Sequence, residues 1–292
     1  MQSWVWRQLR VELPDEWELL QFTRNPQMGR CAFADRTQFR FEINWRVVPN
    51  APDFERLLTD YRSRLDEDGI QDTRRLQCGG WQGVHGILPD RRATSRYGAF
   101  FTPLSCLVEM VFLWPKTRHE PTEAQVLASV RPEEPTRAGQ VRWRAFGMDL
   151  LTPAGSFLEH CSADPACAQF SFSSERRRTW ERFARRGLLP QWLHEPVPDW
   201  LRRSTPRGFR TTFGREQDNH GHTVAVSRAE RKIPRLPDLL LGRREYAAAA
   251  WICPRDGRLY LVCREAYRGA DRHRPARPPG VLSCCADVEV TL

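Results

Sequence analysis

The sequence is almost devoid of lysine and has no long uninterrupted apolar segment. Only Lys116 and Lys232 are lysines among its 45 basic residues. A GC-rich genome would impose that ratio on every protein, so arginine abundance alone is weak evidence of nucleic-acid binding. The most apolar stretch, residues 97–115, is interrupted by a proline, a serine and a glutamate, whereas a membrane helix needs about 20 apolar residues. Two buried strands are predicted there, and no membrane partner.

Motifs of catalysis and nucleotide binding are also missing. The sequence contains no GxSxG, HExxH, P-loop or GxGxxG pattern, which removes the usual signatures of hydrolases, metalloproteases and nucleotide-binding enzymes. The N-terminal MQSWVWRQLRVELPDEW is charged from Arg7 onward and has no apolar signal region. A cytoplasmic, non-catalytic protein without a cofactor is predicted.

Nine cysteines are present, an odd number at irregular positions. Without an export signal they are predicted to be reduced, buried thiols. His220 and His222 would lie on one face of a strand as half a zinc site, which Cys284 and Cys285 could complete. No CxxC spacing accompanies them, so solvated histidines and no metal are expected. A cysteine-dependent enzyme is also disfavoured, because the adjacent His160 and Cys161 would point to opposite faces of a strand.

The 292 residues exceed the usual size of one domain, and 11 Trp and 15 Phe supply ample core. Residues 1–140 carry 19 basic and 19 acidic side chains, whereas residues 141–292 carry 26 and 17. The second half therefore holds the whole net charge of +9.

A weak internal repeat runs along the chain. Trp6 recurs as Trp143 and Phe33 as Phe172, and further matches follow in the same order. The sequence therefore predicts a duplication, with domains at residues 1–130 and 141–292. Residues 131–140, RPEEPTRAGQ, have the composition of a linker.

The first half reads as ββββ-α-βββ-α. Strands are predicted at 5–13, 17–23, 30–34, 39–45, 81–88, 92–101 and 105–114. The FRFEINW run alternates with period two. Apolar residues at helical spacing from Phe54 to Leu65 predict an amphipathic helix that must lie on a sheet, and a shorter helix is predicted at 121–130. Short connections favour antiparallel pairing, and the predicted class is α+β: two similar antiparallel-sheet domains with helices packed on the sheets.

The second half is less regular. The element type of 176–201 is left open, and 204–221 is predicted to be a long polar loop. Residues 246–253 and 258–264 flank Pro-Arg-Asp-Gly, which predicts a hairpin. The last strand is predicted at 281–290.

This element order, with stretches such as LPDEWELL and FRFEINW, resembles the PsbP-like α+β fold over the first 130 residues. The resemblance implies a non-catalytic binding or assembly role, since most members of that fold family have one.

Arginine clusters in the second half are the predicted partner-binding residues: Arg176, Arg177, Arg178, Arg185, Arg186, Arg268, Arg272, Arg274 and Arg277. The preferred hypothesis is an adaptor or assembly subunit that binds an acidic protein. The alternative is nucleic-acid binding, in which nearby tryptophans and Phe183 supply stacking faces.

Overall fold

The protein consists of two compact units, called here unit 1 (Met1–Glu133) and unit 2 (Glu134–Leu292). The computed structural model describes residues 1–25, 27–164, 166–174, 178–219, 221–233, 242–267, 280–285 and 288–291. Of the described residues, 57% lie in strands and 15% in helices. The chain is therefore mostly β.

Unit 1 contains ten strands and two α-helices. The strands are β1 (Gln2–Trp6), β2 (Leu9–Leu13), β3 (Glu18–Phe22), β4 (Met28–Ala34), β5 (Phe39–Val47), β6 (Gln71–Cys78), β7 (Trp81–Ile87), β8 (Ala93–Phe101), β9 (Cys106–Trp114) and β10 (Arg131–Pro132). The helices are α1 (Phe54–Glu67) and α2 (Glu120–Ser129), and a 3-10 turn spans Thr102–Leu104.

The core of unit 1 lies between a large sheet and a small one. The large sheet has the order β3-β4-β5-β9-β8-β7-β6, and the small one is the β1–β2 hairpin with β10 on β2. Trp4 of β1 packs edge-on against Phe33 of β4 at 5.5 Å. Phe41 and Ile43 of β5 are fully buried, which confirms the period-two pattern predicted for this strand.

The predicted α+β class, with helices packed on the sheets, is wrong. Helix α1 does begin at Phe54, where the Asp53 side chain accepts a hydrogen bond from the Arg56 backbone N–H. However, Leu65 is its one buried residue, and Leu57 is 43% exposed. A sheet rather than a helix layer covers the aromatic core, because the tryptophans of the first hairpin bury far more area than this helix can.

Two strand predictions in unit 1 are corrected. The single strand predicted at 5–13 is a hairpin, because Arg7 and Gln8 have φ of 50° and 66° and reverse the chain. Strand β6 was not predicted. Its residues are mostly polar and exposed, as an edge strand allows.

The described residues of unit 2 form eleven strands and two short helices. The strands are β11 (Gln140–Ala145), β12 (Met148–Pro153), β13 (Ser156–Asp164), β14 (Cys167–Ser174), β15 (Thr179–Arg186), β16 (Phe209–Asn219), β17 (His222–Arg231), β18 (Arg244–Ile252), β19 (Leu259–Tyr267), β20 (Val281–Cys285) and β21 (Val288–Thr291). The helices are α3 (Leu189–Trp192) and α4 (Val197–Arg203).

The large sheets of the two units have the same strand order. In unit 2 it is β13-β14-β15-β19-β18-β17-β16, so each large sheet runs first, second, third, seventh, sixth, fifth, fourth. A hairpin precedes it in both units, and in both a later strand returns to that hairpin: β10 to β2, and β20 to β12. The predicted linker, residues 131–140, holds β10 and the first residue of β11.

The large sheet of unit 2 is covered on both faces. On one face Trp143 of β11 packs on Phe172 of β14 at 5.2 Å. On the other, α4 buries Trp200 and Leu201 in a cluster with small residues of β17 and β18. Helix α4 therefore packs on the large sheet of unit 2, whereas helix α1 of unit 1 is largely exposed.

Predictions for unit 2 have mixed outcomes. The hairpin around Pro-Arg-Asp-Gly is confirmed as β18–β19, with Ala248 opposite Cys263 as the turn length predicts. The long loop predicted at 204–221 is wrong, because β16 occupies most of it as a polar edge strand. The single last strand is two strands, β20 and β21, paired antiparallel.

Helices of the described chain are short. None of them combines the length and apolar character that crossing a bilayer requires.

Candidate functional site

Only part of the predicted arginine surface can be placed. Six of its members lie outside the described residues: Arg176, Arg177, Arg268, Arg272, Arg274 and Arg277. The structure does place Arg178, Arg185 and Arg186, on or next to β15.

Arg185 and Arg186 make contacts within unit 2. The Arg186 guanidinium lies over the rings of Trp192 and Trp200, 5.6 and 5.7 Å from their centroids. Arg185 donates to the Gly147 carbonyl oxygen at 3.3 Å, and burial lowers the pKa of its guanidinium. Both side chains therefore stabilise the unit, and a role for them in partner binding stays a prediction.

Two of the rings proposed for base stacking are inside the protein. Phe183 is fully buried and Trp200 is 7% exposed, and Trp192 packs against the cluster that contains Trp200. Phe183 and Trp200 are core residues, whereas Trp192 and Trp180 are partly buried. Stacking of nucleic-acid bases requires exposed ring faces, so the interpretation as stacking rings is wrong for Phe183 and Trp200 and stays a prediction for Trp180 and Trp192.

A different group of cations is assembled at one end of the large sheet of unit 2, where α4 leads into β16 and β17 ends. We call this surface the basic end: Arg202, Arg203, Arg207, Arg210, Arg231 and Lys232. The Lys232 N–H donates to the Gly208 carbonyl oxygen at 2.8 Å, and Phe209 lies opposite Arg231 in the strand register. Backbone pairing therefore brings two separate segments of chain into one basic surface.

Half of the basic end has no carboxylate partner. Arg202 pairs with Asp199 at 3.2 Å and Arg203 pairs with Glu195. Arg207, Arg210 and Lys232 are exposed and form no ion pair with any carboxylate that the structure describes. Ile233, next in sequence, is 77% exposed. The surface thus offers exposed positive charge beside an exposed apolar side chain, with Glu230 opposite Arg210 in the strand register.

A second candidate site is a group of one imidazole and three thiols in unit 2: His222, Cys253, Cys284 and Cys285. Their ligand atoms all lie within 4.8 Å of one another. His222 begins β17, Cys253 directly follows β18, and the two other cysteines end β20. We call these four residues the thiol–imidazole cluster.

Distances within the cluster are those of close neighbours. The Nε2 atom of His222 lies 3.5 Å from the sulfur of Cys284 and 3.8 Å from that of Cys285. The two sulfurs are 3.8 Å apart. The Trp251 indole N–H donates to the Cys284 sulfur at 3.2 Å. The four donor groups therefore converge on one point next to the Trp251 ring.

Burial dominates the electrostatics of the cluster. His222 is 4% exposed and Cys253 is fully buried. Burial raises the pKa of Cys284 to about 12; the Trp251 hydrogen bond opposes this, and neighbouring Cys253 and Cys285 add to it. Without a cation the Cys284 thiol remains protonated at neutral pH.

The sequence revealed part of this cluster. His222, Cys284 and Cys285 were considered together, but a solvated His222 was expected, and that expectation is wrong because the imidazole is buried. His220 lies outside the described residues. For Cys253 the sequence predicts only a buried thiol, and it is buried. Five of the nine cysteines are buried.

Comparisons with known proteins found little. No family model and no curated protein matches the chain. Among solved structures, the chain is similar to a Bacteroides thetaiotaomicron protein over half of each chain, with 8% identity and a TM-score of 0.31. It is also similar to the T6SS immunity protein TplEi of Pseudomonas aeruginosa, at 9% identity and a TM-score of 0.34 for the apo structure, covering 89% of this chain and 90% of that one.

The TplEi complex with an "L" peptide has 8% identity and a TM-score of 0.35, covering 91% of this chain and 90% of that one. TM-scores this low do not establish a shared fold.

Proposed function

We propose that this chain is a non-catalytic protein-binding adaptor or assembly subunit, and that it binds an acidic protein through the basic end of unit 2. The observation that carries the proposal is the exposed set Arg207, Arg210 and Lys232, which forms no ion pair with the carboxylates that the structure describes. Charges of one sign on a local surface accelerate encounter with the opposite sign and select the partner.

The neighbouring exposed Ile233 favours a protein partner. Protein interfaces combine an apolar centre with a charged rim, and Ile233 beside Lys232 supplies both. A nucleic acid would use exposed rings or base-edge contacts instead, and Trp200 and Phe209, which come from the same stretch of chain as these arginines, are buried.

The proposal includes a cytoplasmic location, where the free thiols stay reduced. The PsbP-like resemblance, itself still a prediction, implies the same class of role.

The test is affinity capture from the source cells with the whole chain as bait, with and without nuclease. Captured proteins are identified, and a candidate partner is purified for calorimetry. The test variant is Arg207→Ser/Arg210→Ser/Lys232→Ser. The matched control is Arg36→Ser/Arg62→Ser/Arg64→Ser, which removes three exposed charges from unit 1.

The expected partner is an acidic protein that survives nuclease treatment. Its affinity falls at least about tenfold with the test variant and stays unchanged with the control. A salt response confined mainly to the association rate supports the proposal. Two results together overturn the proposal in favour of nucleic acid. Capture is lost on nuclease treatment, and log affinity falls with log salt concentration by about one unit of slope per phosphate contacted. Equal effects of the two triple variants also overturn it.

A further inference from the structure

The arrangement of the thiol–imidazole cluster matches a tetrahedral metal site. Zinc binds sulfur at about 2.3 Å and nitrogen at about 2.0–2.1 Å, so its tetrahedral edges are about 3.8 Å between two sulfurs and about 3.6 Å between sulfur and nitrogen. The sulfurs of Cys284 and Cys285 are 3.8 Å apart. Their distances to His222 Nε2 are 3.8 Å for Cys285 and 3.5 Å for Cys284. Three edges are therefore already those of a zinc site.

A β-bulge allows adjacent cysteines to face the same point. Successive side chains of a regular strand point to opposite faces, which would separate Cys284 from Cys285. The register of β20 on β21 shifts between Ser283 and Cys285. Such a bulge inserts one extra residue and re-aims its side chain. Both thiols can thus act as ligands of one ion.

Strand register supplies the other two ligands. Strands β17 and β18 pair with Ala225 opposite Ala250, and continuing that register by three residues brings His222 opposite Cys253. These two come from the large sheet, whereas Cys284 and Cys285 belong to β20, which pairs with β12. An ion held by all four would cross-link the two sheets of unit 2.

The corresponding place in unit 1 is filled differently. Strands β7 and β8 hold the positions of β17 and β18 in the shared order. There the first residue of β7, Trp81, packs edge-on against Phe101, the last residue of β8, at 5.8 Å. Unit 1 thus closes this end of its sheet with two rings, whereas unit 2 has donor groups there.

We propose that His222, Cys253, Cys284 and Cys285 bind one Zn²⁺ ion as a closed structural site in unit 2. Three thiolates and one imidazole are a set typical of structural zinc, and four protein ligands leave no open position for catalysis. Soft thiolates select against Mg²⁺ and Ca²⁺. Binding replaces three S–H protons by Zn–S bonds, with the protons released to solvent. The site is independent of the proposed function.

The test is metal analysis of the whole chain purified under reducing conditions from zinc-supplemented medium. About one zinc ion per chain is expected, and X-ray absorption is expected to show three sulfur and one nitrogen neighbour at the distances of a tetrahedral site. Zinc affinity is measured by competition with a chromophoric chelator. The zinc affinity of Cys253→Ser and of Cys284→Ser is expected to fall further than the roughly 10–100-fold that follows from changing a residue that only contacts a ligand.

The control variant is Cys263→Ser, which changes a buried thiol of unit 2 outside the cluster and should keep its zinc. The absorption experiment needs no variant, so it decides the case even if a substitution prevents folding. Absence of zinc from the reduced wild-type chain overturns the proposal. So do stoichiometric iron or copper instead of zinc, a disulfide within the cluster of the native protein, or equal zinc loss in Cys263→Ser.

Discussion

The indole nitrogen of Trp251 donates its hydrogen to the sulfur of Cys284 across 3.2 Å and so joins β18 to β20. A donor to a coordinated sulfur stabilises the thiolate and orients the ligand. Trp251→Phe keeps most of the buried ring but removes that donor. We expect zinc affinity to fall by about 10–100-fold, measured by chelator competition.

The control is Trp143→Phe, since Trp143 donates a comparable buried hydrogen bond, 3.2 Å to Thr152 Oγ1, in the same unit. It should leave zinc affinity unchanged. Equal losses in both variants would show that general destabilisation, rather than the bond to sulfur, sets the affinity.

Glu181 on β15 makes stability depend on pH. Burial raises the pKa of this carboxyl above 4.5, although the Gly280 N–H and Arg264 oppose the shift. The folded state therefore holds a proton that the unfolded state has already lost. The stabilisation is complete below the unfolded pKa and is lost as pH rises through the folded pKa.

In the wild-type protein the Gly280 N–H donates to Glu181 Oε1 at 2.8 Å. Replacement of Glu181 by Gln removes the titration and keeps an oxygen that can accept this hydrogen bond. The melting temperature of Glu181→Gln relative to wild type should therefore rise from acidic to neutral pH. The control is Glu216→Gln on the exposed edge strand β16. A difference between Glu181→Gln and wild type that is constant with pH would contradict the argument.

Arg186 is expected to matter for stability. Arg186→Ser removes a cation from the faces of Trp192 and Trp200, which should cost about 0.5–2 kcal/mol of unfolding free energy. Urea denaturation measures this cost, with the exposed Arg228→Ser as control. Unchanged stability together with lost partner binding would instead assign Arg186 a role in partner binding.

Gly83 on β7 is required by close packing. A β-carbon there would meet the Arg96 carbonyl oxygen and lie 2.7 Å from Cδ1 of Tyr97. Gly83→Ala should destabilise the protein by about 1–3 kcal/mol, the usual cost of overpacking. Gly214→Ala is the matched strand control, because its β-carbon would meet only the Val226 carbonyl oxygen at 3.7 Å. Similar unfolding free energies for the two variants would contradict this account.

Local patterns predicted the fold where one face of an element is buried. The alternation from Phe39 to Trp45 and the turn at Pro254–Gly257 were sufficient, since side-chain period and turn chemistry are properties of short segments. The edge strands β6 and β16 escaped prediction because their residues are mostly polar and show no regular apolar alternation. The α+β class was wrong for a different reason: helical periodicity in α1 shows a helix, but not what covers the sheet.

The thiol–imidazole cluster marks the limit of sequence reasoning. Its residues come from three elements separated by long stretches of chain, and no local spacing links Cys253 to Cys284. The bulge that turns Cys284 and Cys285 to one side leaves no signature in the letters Ser-Cys-Cys. A sheet register joins Cys253 to His222, and sequence alone could not supply that register.

The return of β20 to β12 makes the order of synthesis matter. Leu150 of β12 and its register partner Leu282 of β20 are both buried, and almost all of unit 2 lies between them in sequence. Closing so long a loop is slow, and domains generally fold as units while the chain is made, N-terminal first. A nascent chain that has reached β19 has every strand of the large sheet of unit 2. It still lacks β20, the strand that pairs with β12 beside Leu150.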